Sequence, residues 1–205
     1  MTNPDLRHIA VVLDRSGSMQ SVKSDTEGGL KAFLAEQASA PGTTTVSLYQ
    51  FDTEYEPVYE NRALADVPEY RLVPRGGTAL LDAVGRTIST VGAQLAAKTE
   101  DDRPGEVIVV ILTDGEENQS REFSLTTVKQ MITSQQDTYG WKFVFLGADQ
   151  DAFEAAGGMG IARGTTLSYA SANTTDSMTA AGRMVARGTS SGLYAFTDAE
   201  RDQTS

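Results

Sequence analysis

The sequence predicts a three-layer, doubly wound α/β fold with a mostly parallel central sheet and one antiparallel hairpin at its edge. Three observations lead there. Short continuous aliphatic runs at residues 8–13, 107–112 and 143–146 read as strands covered on both faces, because a parallel sheet between helices leaves no polar face. Amphipathic helical patterns alternate with these runs. The chain has 205 residues, 40% apolar and 22% charged, and no internal repeat or long linker, which suits a single domain. The expected domain spans 1–205, with a core at 8–185 and a flexible tail at 187–205, where residues become small and polar.

The elements follow in order. Residues 8–13 form the first strand. Ser24 and Glu27, spaced as a capping box, open a helix that places Leu30, Phe33, Leu34 and Ala38 inward. Residues 46–51 and 55–59 pair as a hairpin, and Pro57 restricts the second strand to an edge. Leu81, Val84, Ile88, Val91 and Leu95 recur at steps of three and four, the stripe of a helix starting near Thr78. After the strand at 107–112, Ser124 caps a helix through Leu125, Val128 and Ile132. The strand at 143–146 precedes a short helix from Asp151 that the pair Gly157 and Gly158 ends. An edge strand at 165–169 and a helix at 176–185, with Met178, Ala181 and Val185 inward, complete the pattern.

Composition excludes several kinds of chemistry. With no cysteine, thiolate metal sites, disulfides and cysteine nucleophiles are absent. With one histidine, His8, neither a histidine metal cluster nor a Ser-His-Asp triad can form, and His8 itself reads as a strand-start residue. A net charge of −11 repels nucleic-acid backbones and anionic membrane surfaces. The longest aliphatic run falls far short of the ~20 residues a membrane helix needs, and residues 1–7 lack the layout of a signal peptide. A cytoplasmic location is expected.

Three loops carry the chemistry, two of them after strands and one before the second long helix. The turn after the first strand reads Asp14-Arg-Ser16-Gly-Ser18, one carboxylate and two hydroxyls folded tightly at Gly17. Arg75-Gly-Gly-Thr78 adds a third hydroxyl, and Thr113-Asp114-Gly a second carboxylate. These are hard oxygen donors suited to magnesium, manganese or calcium. Open α/β sheets gather ligands at the carboxyl ends of their central strands, which puts Asp14 and Asp114 in one crevice.

With these residues in place, the sequence resembles a von Willebrand factor type A domain, a Rossmann-like fold whose metal-ion-dependent adhesion site follows the pattern D-x-S-x-S, then T, then D. The likeness covers residues 8–146 and extends toward 185. It implies that Asp14, Ser16, Ser18, Thr78 and Asp114 hold a divalent cation, magnesium first, with manganese or calcium as alternatives. Some contacts would run through water, and one position would stay open to an Asp or Glu of a partner protein. The segments 76–82 and 112–118 are similar to small stand-alone bacterial and phage members, including tellurium-resistance-associated ones. By that resemblance the chain is a non-enzymatic protein-binding domain within a multiprotein system: stress response, ATPase-assisted assembly or a phage function.

Two other readings stay open. Asp14, at a strand end, occupies the place of the nucleophile in a magnesium-dependent phosphoryl-transfer enzyme. Alternatively, the chain is a structural assembly protein with a vestigial metal site. An EF-hand is excluded, because Met19 stands where that loop requires glycine. Near the site, Arg15 and Arg75 could anchor a partner carboxylate through bidentate bonds, and Glu116 and Glu117 could contact basic partners. Gly188-Thr-Ser190-Ser-Gly192 matches a nucleophile elbow, but no histidine follows it.

Overall fold

The computed structural model describes residues 2–149 and 151–204. Met1 and Ser205, the ends of the expected domain, and Gln150 lie outside the described residues. The strands are β1 (Asn3–Asp14), β2 (Thr43–Phe51), β3 (Tyr55–Ala63), β4 (Pro104–Thr113), β5 (Lys142–Ala148) and β6 (Thr166–Tyr169). Among the described residues they form one sheet in the order β3-β2-β1-β4-β5-β6. Only β2 and β3 pair antiparallel, and β3, with Pro57, is an edge as expected.

Helices cover both faces. The helices α1 (Lys23–Gln37) and α5 (Thr174–Ser191) pack on the side of Ile9, Val11 and Leu13. On the side of Ala10 and Val12 lie α2 (Leu80–Ala96), α3 (Leu125–Tyr139) and α4 (Ala152–Gly158). Successive strand residues point to opposite faces, so a strand between two helical layers needs apolar residues at every position. β1 to β5 run further than their aliphatic cores suggested, because backbone pairing continues past the aliphatic residues, whereas β6 starts one residue later than expected. None of the described helices is long and apolar enough to cross a membrane.

Three expectations need correction. The capping box at Ser24 and Glu27 does not form: α1 begins at Lys23 after Val22, without a side-chain cap. The chain enters α1 from a 3-10 turn (Gly17–Gln20), whose carbonyls at Ser18 and Met19 accept from Ser21 N and Val22 N, and Glu27 accepts instead from Leu72 N at 2.8 Å. The helix expected near Thr78 starts at Leu80, capped from another loop as described below. The flexible tail expected at 187–205 is, over its described residues, the last turn of α5 followed by α6 (Asp198–Thr204). Arg187 grips Glu200 through two bonds of 2.9 Å, Phe196 is buried, and Arg201 donates to Thr166 O at 2.7 Å. These are long-range contacts that a run of small polar residues does not announce. The apparent nucleophile elbow at 188–192 is the C-terminal turn of α5, with Gly192 as its left-handed cap, so it lacks the required strand-to-helix geometry.

His8 is not the start of its strand, since β1 begins at Asn3. It is 1% exposed, its Nδ1 sits 2.9 Å from Thr45 Oγ1, and its Nε2 has no hydrogen-bond partner among the described residues. Burial, with Lys98 adding to it, pulls its pKa down to about 4. The unfolded chain therefore takes up this proton first, and stability falls as pH drops from about 6.5 towards 4. The expected loss through His8 between pH 7 and 4.5 is about 2–3 kcal/mol. Urea unfolding at both pH values should show His8→Gln losing less stability than wild type by that amount; identical losses would refute it.

Candidate metal centre

The sheet order reverses at β1, which has β2 on one side and β4 on the other, so their carboxyl ends splay around a crevice. Register sets what meets there. Leu13 pairs with Leu112, which brings Asp14 level with Thr113 and leaves Asp114 one residue beyond the strand. Thr113 Oγ1 donates to Asp14 Oδ2 at 2.6 Å, and Ser16 N donates to Asp14 Oδ1 at 2.7 Å. Ser18 Oγ donates to Asp114 Oδ1 at 2.7 Å and lies 3.0 Å from Ser16 Oγ. Thr78 completes the group. A Cβ placed on Gly115 would lie 3.0 Å from Thr78 Oγ1 and 3.7 Å from Ser18 Oγ, so glycine here makes room for both hydroxyls. All five expected ligand residues thus gather in one place. Sequence reasoning did not assign a role to Thr113, which orients Asp14; its position beside Asp114 was the available signal.

The loop after β4 is locked to α2. Glu117 Oε2 accepts from Leu81 N at 3.0 Å, Asn118 Oδ1 from Thr78 N at 3.0 Å, and Ser120 Oγ from Asp82 N at 3.1 Å. Glu117 and Ser120 thereby satisfy two of the free amides that begin α2, and Asn118 ties down the residue before its N-cap. In return, Asp82 accepts from the amides of Arg121, Glu122 and Phe123 at 2.8–2.9 Å. Glu117, expected to face a partner, is therefore engaged in capping, whereas Glu116 is exposed. Arg15 is also turned inward: it is 5% exposed and pairs with Asp52 and Glu56. Arg75, half exposed, pairs with Asp52, Glu54 and Glu56. The two arginines bind carboxylates of this chain.

Electrostatics favour a cation at the cluster. Burial raises the pKa of Asp14 to about 6, against the hydrogen bonds from Thr113 and Ser16, and the charge of Asp114 adds to the rise. Burial also raises Asp114, with Ser18 opposing and Asp149 reinforcing the shift. No arginine or lysine among the described residues pairs with either carboxylate; the nearby arginines are committed to Asp52. Nor do three Asp, Glu or His side chains converge among the described residues, so the donors are two carboxylates and three hydroxyls. That set fits a hard divalent ion: two negative charges offset it, and neutral hydroxyls add coordination without closing the shell. The cluster lies at the surface, with Ser18 exposed. A groove of about 990 Å³ lies elsewhere, between α1 and residues 63–70, and contains none of the five residues.

No protein-family model matches the sequence, and no curated protein matches it significantly. Solved structures do share its fold. Proximal thread matrix protein 1 of the mussel byssus aligns with a TM-score of 0.64 at 15% identity, over 91% of this chain and 47% of its own. A von Willebrand factor type A protein from Catenulispora acidiphila aligns at 0.62 and 16% identity, over 89% and 42%. The vWF domain of the type V pili tip protein Mfa5 from Porphyromonas gingivalis aligns at 0.57 and 11% identity, over 94% and 97%. The chain spans less than half of the first two. At these identities the fold is what is shared, and it is that of von Willebrand factor A domains.

Proposed function

From the premise of that fold, we propose that this chain is a metal-dependent protein-docking domain and not an enzyme. Asp14, Ser16, Ser18, Thr78 and Asp114 hold a divalent cation, magnesium first, which bridges to an Asp or Glu of a partner protein. One observation carries the reading: two carboxylates, one of them fully buried, face three hydroxyls from two loops and have no cationic side chain for a partner among the described residues. When bound, the ion supplies a Lewis-acidic position for an anionic ligand. Asp14 and Asp114 supply the charge, Ser16 and Ser18 orient the donors, and Thr113 fixes Asp14. The surface position of the cluster suits a side chain offered by another protein. Among the structural neighbours, one is described as a pilus adhesin.

The test is capture of a partner on immobilised protein. Retention in magnesium, release by EDTA, and loss with Asp114→Asn are the expected results. Equal retention in EDTA would overturn the docking reading, as would phosphate-ester turnover abolished by Asp14→Asn.

A further inference from the structure

Asp52, at the end of β2, touches both hydroxyl-bearing loops of the metal centre without belonging to the donor set. Its carboxylate is 1% exposed, and Oδ2 lies 2.8 Å from Nε of Arg15, in the Asp14–Ser18 turn. The same oxygen accepts from Nε of Arg75, in the loop leading to Thr78, at 2.7 Å. Its backbone carbonyl accepts from Ala79 N at 2.9 Å. Gly76, at φ +69°, packs so closely that a Cβ there would lie 3.3 Å from Asp52 Cβ. The two loops also bond directly: Arg75 N donates to Arg15 O at 2.8 Å and Gly17 N to Gly76 O at 3.2 Å.

Stability is a poor explanation for this arrangement. A buried ion pair gains little net free energy over apolar packing of the same size, because both charges lose water. Here the compensation is incomplete, since neither Nε nor Nη2 of Arg15, both buried, has a hydrogen-bond partner among the described residues, Nε meeting Asp52 only as an ion pair. What the shared carboxylate does supply is a common anchor: Arg75 donates a directed hydrogen bond to the same oxygen that Arg15 meets as an ion pair, so one acceptor ties the two loops together.

We infer that Asp52 is a positioning residue for the metal centre, a clasp that holds the Arg15 and Arg75 loops in the register that brings Ser16, Ser18 and Thr78 together. The inference rests on the metal-dependent reading above. Residues that orient ligands from behind change cation affinity when removed, and they do so beyond their effect on folding.

The experiment compares wild type, Asp52→Asn and Arg75→Met in two ways. Calorimetric titration with manganese should give affinities weaker by about tenfold or more in both variants. Hydrogen exchange in EDTA should show faster exchange at the amides of Gly17, Arg75 and Ala79, with β1 and β4 amides unchanged. Arg75 is half exposed, so Arg75→Met carries the test if Asp52→Asn fails to fold. Wild-type affinity and exchange in the variants, even with a lowered Tm, would overturn the clasp. If wild type itself binds no cation, the metal reading fails, and the exchange arm still decides whether Asp52 holds the loops together.

Discussion

Saturating magnesium or manganese at pH 7 is expected to raise the Tm of the wild-type chain, while leaving Asp14→Asn where it stands in EDTA. A ligand at about 100 times its Kd that binds only the folded state adds ~2.7 kcal/mol, or roughly 5–10 °C for a chain of this size. The variant carries a second signature. Because burial raises Asp14 to about 6, ionising it costs the metal-free fold free energy at neutral pH. The sign follows from linkage: the folded state holds this proton more tightly, so the stability it brings is complete below the unfolded pKa and is lost as pH rises through about 6. Asparagine keeps an acceptor for Ser16 N and removes the charge, so Asp14→Asn should be more stable than wild type in EDTA at pH 7, by up to about 3 kcal/mol. Protons also compete with the cation, so the wild-type response should weaken below pH 6. Scanning calorimetry with and without EDTA at pH 5 and 7 measures all three. A wild type indifferent to cations, or a variant that responds equally, would sink the assignment.

The second large effect is expected far from any ligand atom. Asp82→Ala should destabilise the fold by roughly 2–4 kcal/mol, because three backbone amides lose a charged acceptor at once. Those amides belong to residues 121–123, the end of the loop that begins at Asp114. The same change should therefore shrink the cation-induced rise in Tm. Asp82→Asn retains the Oδ1 acceptor of Glu122 and Phe123 and loses mainly the bond from Arg121, so about 1 kcal/mol is expected. Urea unfolding of the two variants checks this ordering. Asp82→Ala within about 0.5 kcal/mol of wild type, the usual range for an inconsequential surface change, would show that the lock between the loop and α2 carries no weight.

Much of this molecule is determined by the sequence alone. The uninterrupted aliphatic runs of β1, β4 and β5 require helices on both faces, and the stripe from Val84 to Val91 places α2 on one of them. Pro57 sends β3 to the edge. Gathering of Asp14, Ser16, Ser18 and Asp114 follows from which strand ends carry them, since strand order puts the ends of β1 and β4 side by side; Thr78 arrives on the loop that leads into α2. Ser124 and Asp151 cap α3 and α4 within three residues of their own positions, so local sequence suffices there.

Only the tertiary structure decided what depends on residues distant in the chain. Glu117 and Arg15 look like surface charges, and become a helix cap and a buried ion pair, because their partners, Leu81 and Asp52, are tens of residues away. Thr113 and Asp82 likewise act on groups that no spacing rule links to them. The end of the chain shows the same division. Residues 187–204 carry no aliphatic run, yet they form the end of α5 and α6, packed once Arg187 meets Glu200 and Phe196 enters the core. Hydrophobic periodicity records which face of an element is buried, whereas a hydrogen bond or ion pair needs two groups at bonding distance, and that distance exists only after the sheet has set the register.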